Sequence, residues 1–300
     1  MNVNGETLIN NPQNSDGTSS RLTSFVPGAK TDYFRGLIGA GETVSVGGTF
    51  SVLPTTTAPL SVPPEPTITV ESFTTSGSTT WTAPTGVTSV EYIIVGGGGG
   101  GGGGHDTGGA GGGGGGMVLS GTTAVTPGTV YTVIVGAGGA ASTNTYPSVR
   151  ETAGGDGESS SFDIITALGG GGGKGSRTQA VSPGNGGNAQ TLLASAVGGD
   201  GGANFVSSSG GSGGGGGGAA AAGTDGVSGA GGIGGAGILL SLSGSSIMYG
   251  SGGNGARGNI ATVGANGTSN RGNGGGGGGF SSGGAHNGGS GGSGIVIIRY

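Results

Sequence analysis

The 300-residue chain carries 86 glycines, only 8% charged residues and a net charge of −5. Charge spread so thinly forms no basic patch, which argues against nucleic acid as a partner. The absence of cysteine excludes disulfides and thiolate metal sites, and with no run of about 20 apolar residues no membrane insertion is expected.

Residues 1–52 differ from the rest. They begin Asn-, Ser- and Asp-rich and lack long glycine runs. Val44-Ser45-Val46 and Thr49-Phe50-Ser51-Val52 alternate as strands do, with Gly47-Gly48 as the turn. So small a region buries little core by itself and is read as an extended segment that anchors the chain on another protein. Its polar start shows neither a basic region nor an apolar one, so no signal peptide is expected. Residues 53–66 hold five of the 11 prolines and read as a semi-rigid linker. Residues 67–300 form the third region.

From Thr67 the chain turns β-rich. Thr67-Ile68-Thr69-Val70-Glu71-Ser72-Phe73 alternates, and Ser78-Thr79-Thr80-Trp81-Thr82 follows, with its Trp read as core. Val90-Glu91-Tyr92-Ile93-Ile94-Val95 is a strong strand that runs straight into nine glycines, 96–104. Extended structure resumes at Met117-Val118-Leu119 and over 122–125, Pro127-Gly128 is a turn signal, and 130–135 is a second strong strand. Tyr92 and Tyr131 alternate with apolar neighbours and are expected half-buried. Further apolar runs, Phe162-Asp163-Ile164-Ile165, 192–197, 238–242 and Ile247-Met248-Tyr249, each lead into glycine. The chain closes on Ile295-Val296-Ile297-Ile298-Arg299-Tyr300, expected beside the Val90 strand. Only 190–197 shows a trace of helical period.

Polyglycine orders at a high entropic cost, because glycine has the most backbone freedom to lose and no side chain to bury. It orders favourably as polyglycine-II helices: three residues per turn, about 3.1 Å rise, with hydrogen bonds made only to neighbours. Nine residues then span roughly 28 Å. The expected fold is therefore all-β, a small β-sandwich framing a polyglycine-II helix bundle, preceded by the extended N-terminal segment.

Motifs that glycine mimics fail on their other residues. Gly173-Lys174 lacks the hydroxyl residue of a phosphate loop, since Gly175 follows. Gly154-Gly155-Asp156-Gly157 and Gly198-Gly199-Asp200-Gly201 lack the second Asp of a calcium nonapeptide, with Ser159 and Ala203 in its place. The G-x-S-x-G spellings around Ser212 and Ser290 do not join a strand to a helix. No catalytic, metal or cofactor constellation emerges, so the chain is not expected to be an enzyme. His105-Asp106 and His286-Asn287 interrupt the glycine and read as solvated tips, ligand contact being the sharper alternative.

Phe73-Thr74-Thr75-Ser76-Gly77, Trp81-Thr82-Ala83-Pro84, the strand into polyglycine, Val125-Thr126-Pro127-Gly128, Gly136-Ala137-Gly138-Gly139 and the terminal Gly294-Ile295-Val296-Ile297-Ile298-Arg299-Tyr300 together resemble the glycine-rich domain of phage tail-fibre and related virion proteins. The chain is also similar to polyglycine-II tip adhesins. The resemblance implies a virion surface protein, often trimeric, whose residues 1–52 bind other virion proteins. Its loops between glycine helices would meet a bacterial surface glycan or outer-membrane protein. By that analogy the contact loops are 104–107, 142–152, 174–182, 204–209 and 285–287, with His105, Asp106, Tyr146, Arg150, Lys174, Arg177, Phe205, His286 and Asn287 as contact residues. A capsid head fibre or decoration protein is the alternative, and an ice-binding protein a remote one.

Overall fold

The computed structural model describes residues 2–3, 6–7, 68–105, 108–143, 152–176, 211–281 and 284–300. The chain divides into two compact units, Met1–Pro63 and Pro64–Tyr300. In the first, Asn2–Val3 (β1) pairs antiparallel with Glu6–Thr7 (β2). The hairpin expected within 44–52, the linker at 53–66 and the helical trace at 190–197 lie outside the described residues.

The second unit has no helix among its described residues. Its strands are Val70–Phe73 (β3), Gly77–Thr82 (β4), Ser89–Val95 (β5), Val118–Ala124 (β6), Val130–Val135 (β7), Ser160–Phe162 (β8), Ile165–Ala167 (β9), Ile238–Leu240 (β10), Ile247–Tyr249 (β11), Phe280–Ser281 (β12), Gly284–Ala285 (β13) and Ile295–Arg299 (β14). Two four-stranded antiparallel sheets, β3-β14-β5-β6 and β4-β7-β8-β9, make the sandwich. The closing strand lies beside β5, Ile297 opposite Ile93, as its sequence leads one to expect. The run 162–165 departs from expectation. It is not one strand but the tight hairpin β8–β9, turned at Asp163 with φ of 52°, a conformation Asp tolerates better than most side chains.

The inner strands of sheet β3-β14-β5-β6 are buried on both faces over 93–95 and 295–298, and this explains their uninterrupted apolar runs. Val90, Ile94, Val296 and Ile298 face Trp81, Val133, Val135 and Phe162 of the other sheet. Ile93, Val95, Val118, Ile295 and Ile297 face the opposite way, onto Tyr249, Ile238, Leu240 and Ile247 of the hairpin β10–β11. Burying each such aliphatic side chain stabilises by about 1.5–3 kcal/mol. Trp81 is core as expected, at 4% exposure, and Tyr92 and Tyr131 are half-buried.

The glycine runs leave the sandwich as extensions of its strands: 96–104 from β5, 136–142 from β7 and 168–176 from β9, while 286–294 returns into β14. Their hydrogen bonds repeat every three residues. Gly96, Gly99 and Gly102 donate to Met117, Gly114 and Gly111. Gly97, Gly100 and Gly103 donate to Glu158, Gly155 and Thr152, and Gly98, Gly101 and Gly104 to Gly292, Gly289 and His286. The carbonyls of the same helix accept from 170–176, 139–142 and 275–278. Segment 96–104 is thus the hub of a hexagonal polyglycine-II array: three antiparallel flanking helices accept from it and three parallel ones donate to it. The register admits no Cβ. One added at Gly99 would lie 2.1 Å from the Gly171 carbonyl oxygen.

Where the array ends, polar side chains stand in for missing carbonyls. Asp156 Oδ1 accepts from Gly172 N–H at 2.7 Å, Asn254 Oδ1 from Gly234 at 2.8 Å and Asn266 Oδ1 from Ser290 at 2.9 Å. Asp156, set in a calcium-like spelling, is an edge cap of the array.

At the far side of the sandwich Tyr300 donates its hydroxyl to Glu71 Oε1 at 2.5 Å, and Trp81 Nε1–H donates to the same oxygen at 3.1 Å. The bond to the Glu71 carboxylate holds the Tyr300 phenol above its ordinary 10.0, with burial and the carboxylate's charge adding to the effect. A raised native value means that the stabilisation is complete below about pH 10 and disappears as pH climbs through the native value. Melting temperature is expected to hold from neutral pH to about pH 10 and to fall above it. In Glu71→Gln, which keeps an acceptor but loses the charge, that fall should be shallower. An identical alkaline profile for the two proteins would remove Glu71 as its origin.

Candidate functional site

The glycine helices that flank four of the connections, 104 to 108, 142 to 152, 176 to 211 and 279 to 286, end at one level of the bundle. Gly103 N–H donates to Thr152 O at 2.9 Å, Ser176 N–H to Gly103 O at 3.1 Å and Gly104 N–H to His286 O at 3.1 Å. Ser142 N–H reaches Gly101 O at 3.3 Å, and Gly109 N–H reaches Gly211 O at 2.9 Å. The helices ending at 104, 142 and 176 and those beginning at 108, 152, 211 and 286 therefore share a level. This level lies about nine residues, roughly 28 Å at 3.1 Å per residue, beyond the end of β5. Residue 68, the first described residue of the second unit, lies next to β3 in the sandwich. The domain thus has a chain-entry end and a tip.

Glycine runs and serines build the tip. The Ser176 hydroxyl accepts from His105 N–H at 3.0 Å and donates to Gly108 O at 2.8 Å, which closes the turn out of the hub helix. The Ser142 hydroxyl accepts from Gly288 N–H at 2.9 Å. Both serines are buried, so each side chain replaces a lattice partner where the helices stop. The imidazole of His105 stacks on Phe280, ring centroids 6.2 Å apart and planes 27° apart. Phe280 opens the small hairpin β12–β13.

Expectation and structure differ at His105. A solvated tip is what a His set in glycine suggests, yet it is 2% exposed, because Phe280 and the Ser176 turn close over it. Lys174 is exposed, its own carbonyl accepting from Gly111 N–H at 3.0 Å. His286 is half-buried and bridges to Gly104, and Asn287 is exposed. The structure thus brings His105, Lys174, His286 and Asn287 to the same end. Asp106, Tyr146, Arg150, Arg177 and Phe205 lie outside the described residues, as does the whole of loop 204–209. Ser142 and Ser176 fall inside the expected contact loops 142–152 and 174–182 without being singled out there, and Phe280 is the tip residue that the sequence reading missed. The signal for the serines was a lone hydroxyl at the end of a glycine run, as in Gly175-Ser176.

Among the described residues no group of three or more His, Asp or Glu is placed to hold a metal ion, and no helix is long and apolar enough to cross a membrane. At this end short polar side chains and backbone amides are bonded into the array beneath them. A family model described as a glycine-rich domain matches residues 74–300. No curated protein matches the chain.

Proposed function

The chain belongs to the glycine-rich domain family, and from that premise we propose that it is a phage virion surface protein whose bundle tip binds a receptor on the bacterial surface. The observation that carries this reading is the polarity of the domain. The second unit's first described residue lies in the sandwich, while the connections flanked by 104, 142, 152, 176, 211 and 286 start and finish at the opposite end. A protein that only spaced or decorated a particle has no need to set Lys174, His286 and Asn287 together at that end. The resemblance of the β5-to-polyglycine junction and of the terminal strand to tail-fibre domains points the same way. In this reading residues 1–52 attach to other virion proteins, and the 53–66 linker sets the domain off from them. The ligand is a surface glycan or outer-membrane protein, bound without chemistry. Display as a homotrimer adds weak sites through effective concentration.

The experiment has two arms. Immunogold labelling of the particle with antibody against 137–294 should mark the tail tip. Fluorescently labelled protein should bind host cells saturably, and Lys174→Ala combined with Arg177→Ala should weaken that binding at least tenfold with the melting temperature unchanged. Label over the capsid, with cell binding absent or indifferent to the tip variants, would give the chain to a head fibre or decoration role instead.

A further inference from the structure

Helix 272–278 is flanked on five of its six sides. It donates to 96–104 through Gly275 and Gly278, to 250–256 through Gly274 and Gly277, and to the strand at 262–265 through Gly276 and Gly279. It accepts from 108–116 and from 286–292. Those five flanking segments bond to one another in sequence around it, 262–267 to 286–292 to 96–104 to 108–116 to 250–256, and the ring stops there. The sixth position is an open groove of about 520 Å³, walled by 252–257 and 262–266 and floored by 274–277.

The groove presents unfinished backbone. Gly274 and Gly277 are buried, yet their carbonyls accept no backbone N–H among the described residues, whereas buried carbonyls are ordinarily paired. They stand three residues apart, one turn of a polyglycine-II helix or about 9 Å. The N–H of Asn254, on the wall, likewise has no backbone acceptor among the described residues. We infer that this groove is a docking site for a seventh strand: a glycine-rich segment of another polypeptide, held as an extended polyglycine-II helix of about six residues. The register specifies that chemistry. The occupant offers N–H groups every third residue to Gly274 and Gly277 and a carbonyl to Asn254. It also carries no side chain on its inward faces, because the array elsewhere leaves no room for a Cβ. Each described glycine helix of this chain already occupies a position of its own in the array. This inference does not rest on receptor binding at the tip, which lies at the helix ends rather than along their flank.

The test uses the full chain and a labelled peptide, Lys-Gly-Gly-Asn-Gly-Gly-Gly-Gly-Lys, followed by fluorescence anisotropy. Saturable binding is expected, weakened at least tenfold when alanine replaces the peptide's glycines. Ala265→Trp should weaken it equally, since Ala265 is exposed and lines the groove. Thr262→Trp, at another exposed lining position, repeats the blockade should the first variant melt early. No saturable binding, or binding indifferent to the tryptophans, would overturn the assignment. So would self-association of the unmodified chain that either tryptophan abolishes, which would hand the groove to a second copy.

Discussion

Gly101→Ala should cost the domain at least about 3 kcal/mol of stability, far beyond a surface substitution. A Cβ on Gly101 would sit 1.9 Å from the Gly276 carbonyl oxygen and 2.4 Å from its carbon. Neither is the end of a flexible side chain, so the backbone of 272–278 must retreat. That helix is bonded to five others, and Gly276 donates to Ala265 at 2.8 Å. Moving it strains bonds through much of the array, and every alternative pays for an unpaired buried amide. For a domain of this size the expected fall in melting temperature is about 6–12 °C. Ala265→Ser, at an exposed position of the same bundle, is the control and should stay within about 0.5 kcal/mol. Thermal melts followed by circular dichroism decide it: an alanine at 101 that melts with the unmodified protein would mean that the array is loose and the hydrogen-bond register incidental.

The same register explains what the sequence could tell and what it withheld. The strands were legible because Val90 to Val95 and Ile295 to Ile298 are continuous apolar runs that lead into or out of glycine. The pairing of β14 with β5 followed from their similarity. What covers the second face of that sheet was not legible: Ile238, Leu240 and Ile247 are three aliphatics in a Ser- and Gly-rich stretch, and nothing local says they pack on Ile93 and Ile297. The polyglycine-II bundle was legible in kind, since glycine runs have few other ordered forms, but its wiring was not. Every glycine is identical, so nothing in 96–104 distinguishes the helix that receives Gly97 from the one that receives Gly98. The wiring is written in the rare polar residues. Asp156, Asn254 and Asn266 mark the array's edges by capping particular amides, a role that for Asp156 reads from sequence as a failed metal motif.

At the tip the shortfall has another cause. His105 in a glycine setting suggests exposure, because its sequence neighbours offer nothing to bury it. Its burial comes from Phe280, 175 residues away, and from the Ser176 turn. Long-range closure of this kind is the normal condition in an array whose helices bond only to other helices. In consequence a tip residue's exposure depends on which loops happen to be its lattice neighbours.

That dependence makes the sandwich the determinant of the bundle, and Trp81→Ala tests it. Trp81 is 4% exposed. Its ring lies 5.8 Å from Phe162, 6.0 Å from Tyr131 and 5.6 Å from Tyr300 between centroids. Truncating it should cost about 3–5 kcal/mol through lost burial and the cavity left behind, and it strips Glu71 of one donor. Hub helix 96–104 continues β5, and the seam is tied by Ser160, whose hydroxyl donates to Val95 O at 2.6 Å and accepts from Gly136 N–H at 2.9 Å. Isolated glycine helices lack internal hydrogen bonds and gain none until their neighbours are in place, so they depend on the sandwich to set their starting register. Trp81→Ala is therefore expected to lower the stability of both zones in one cooperative transition. Glycine amides such as Gly99 and Gly113 should lose hydrogen-exchange protection by the same free energy as Val133 in the sandwich. Should the sandwich amides alone lose protection while the glycine amides keep theirs, the array would be an autonomous folding unit, and the strands that lead into it would be connectors rather than templates.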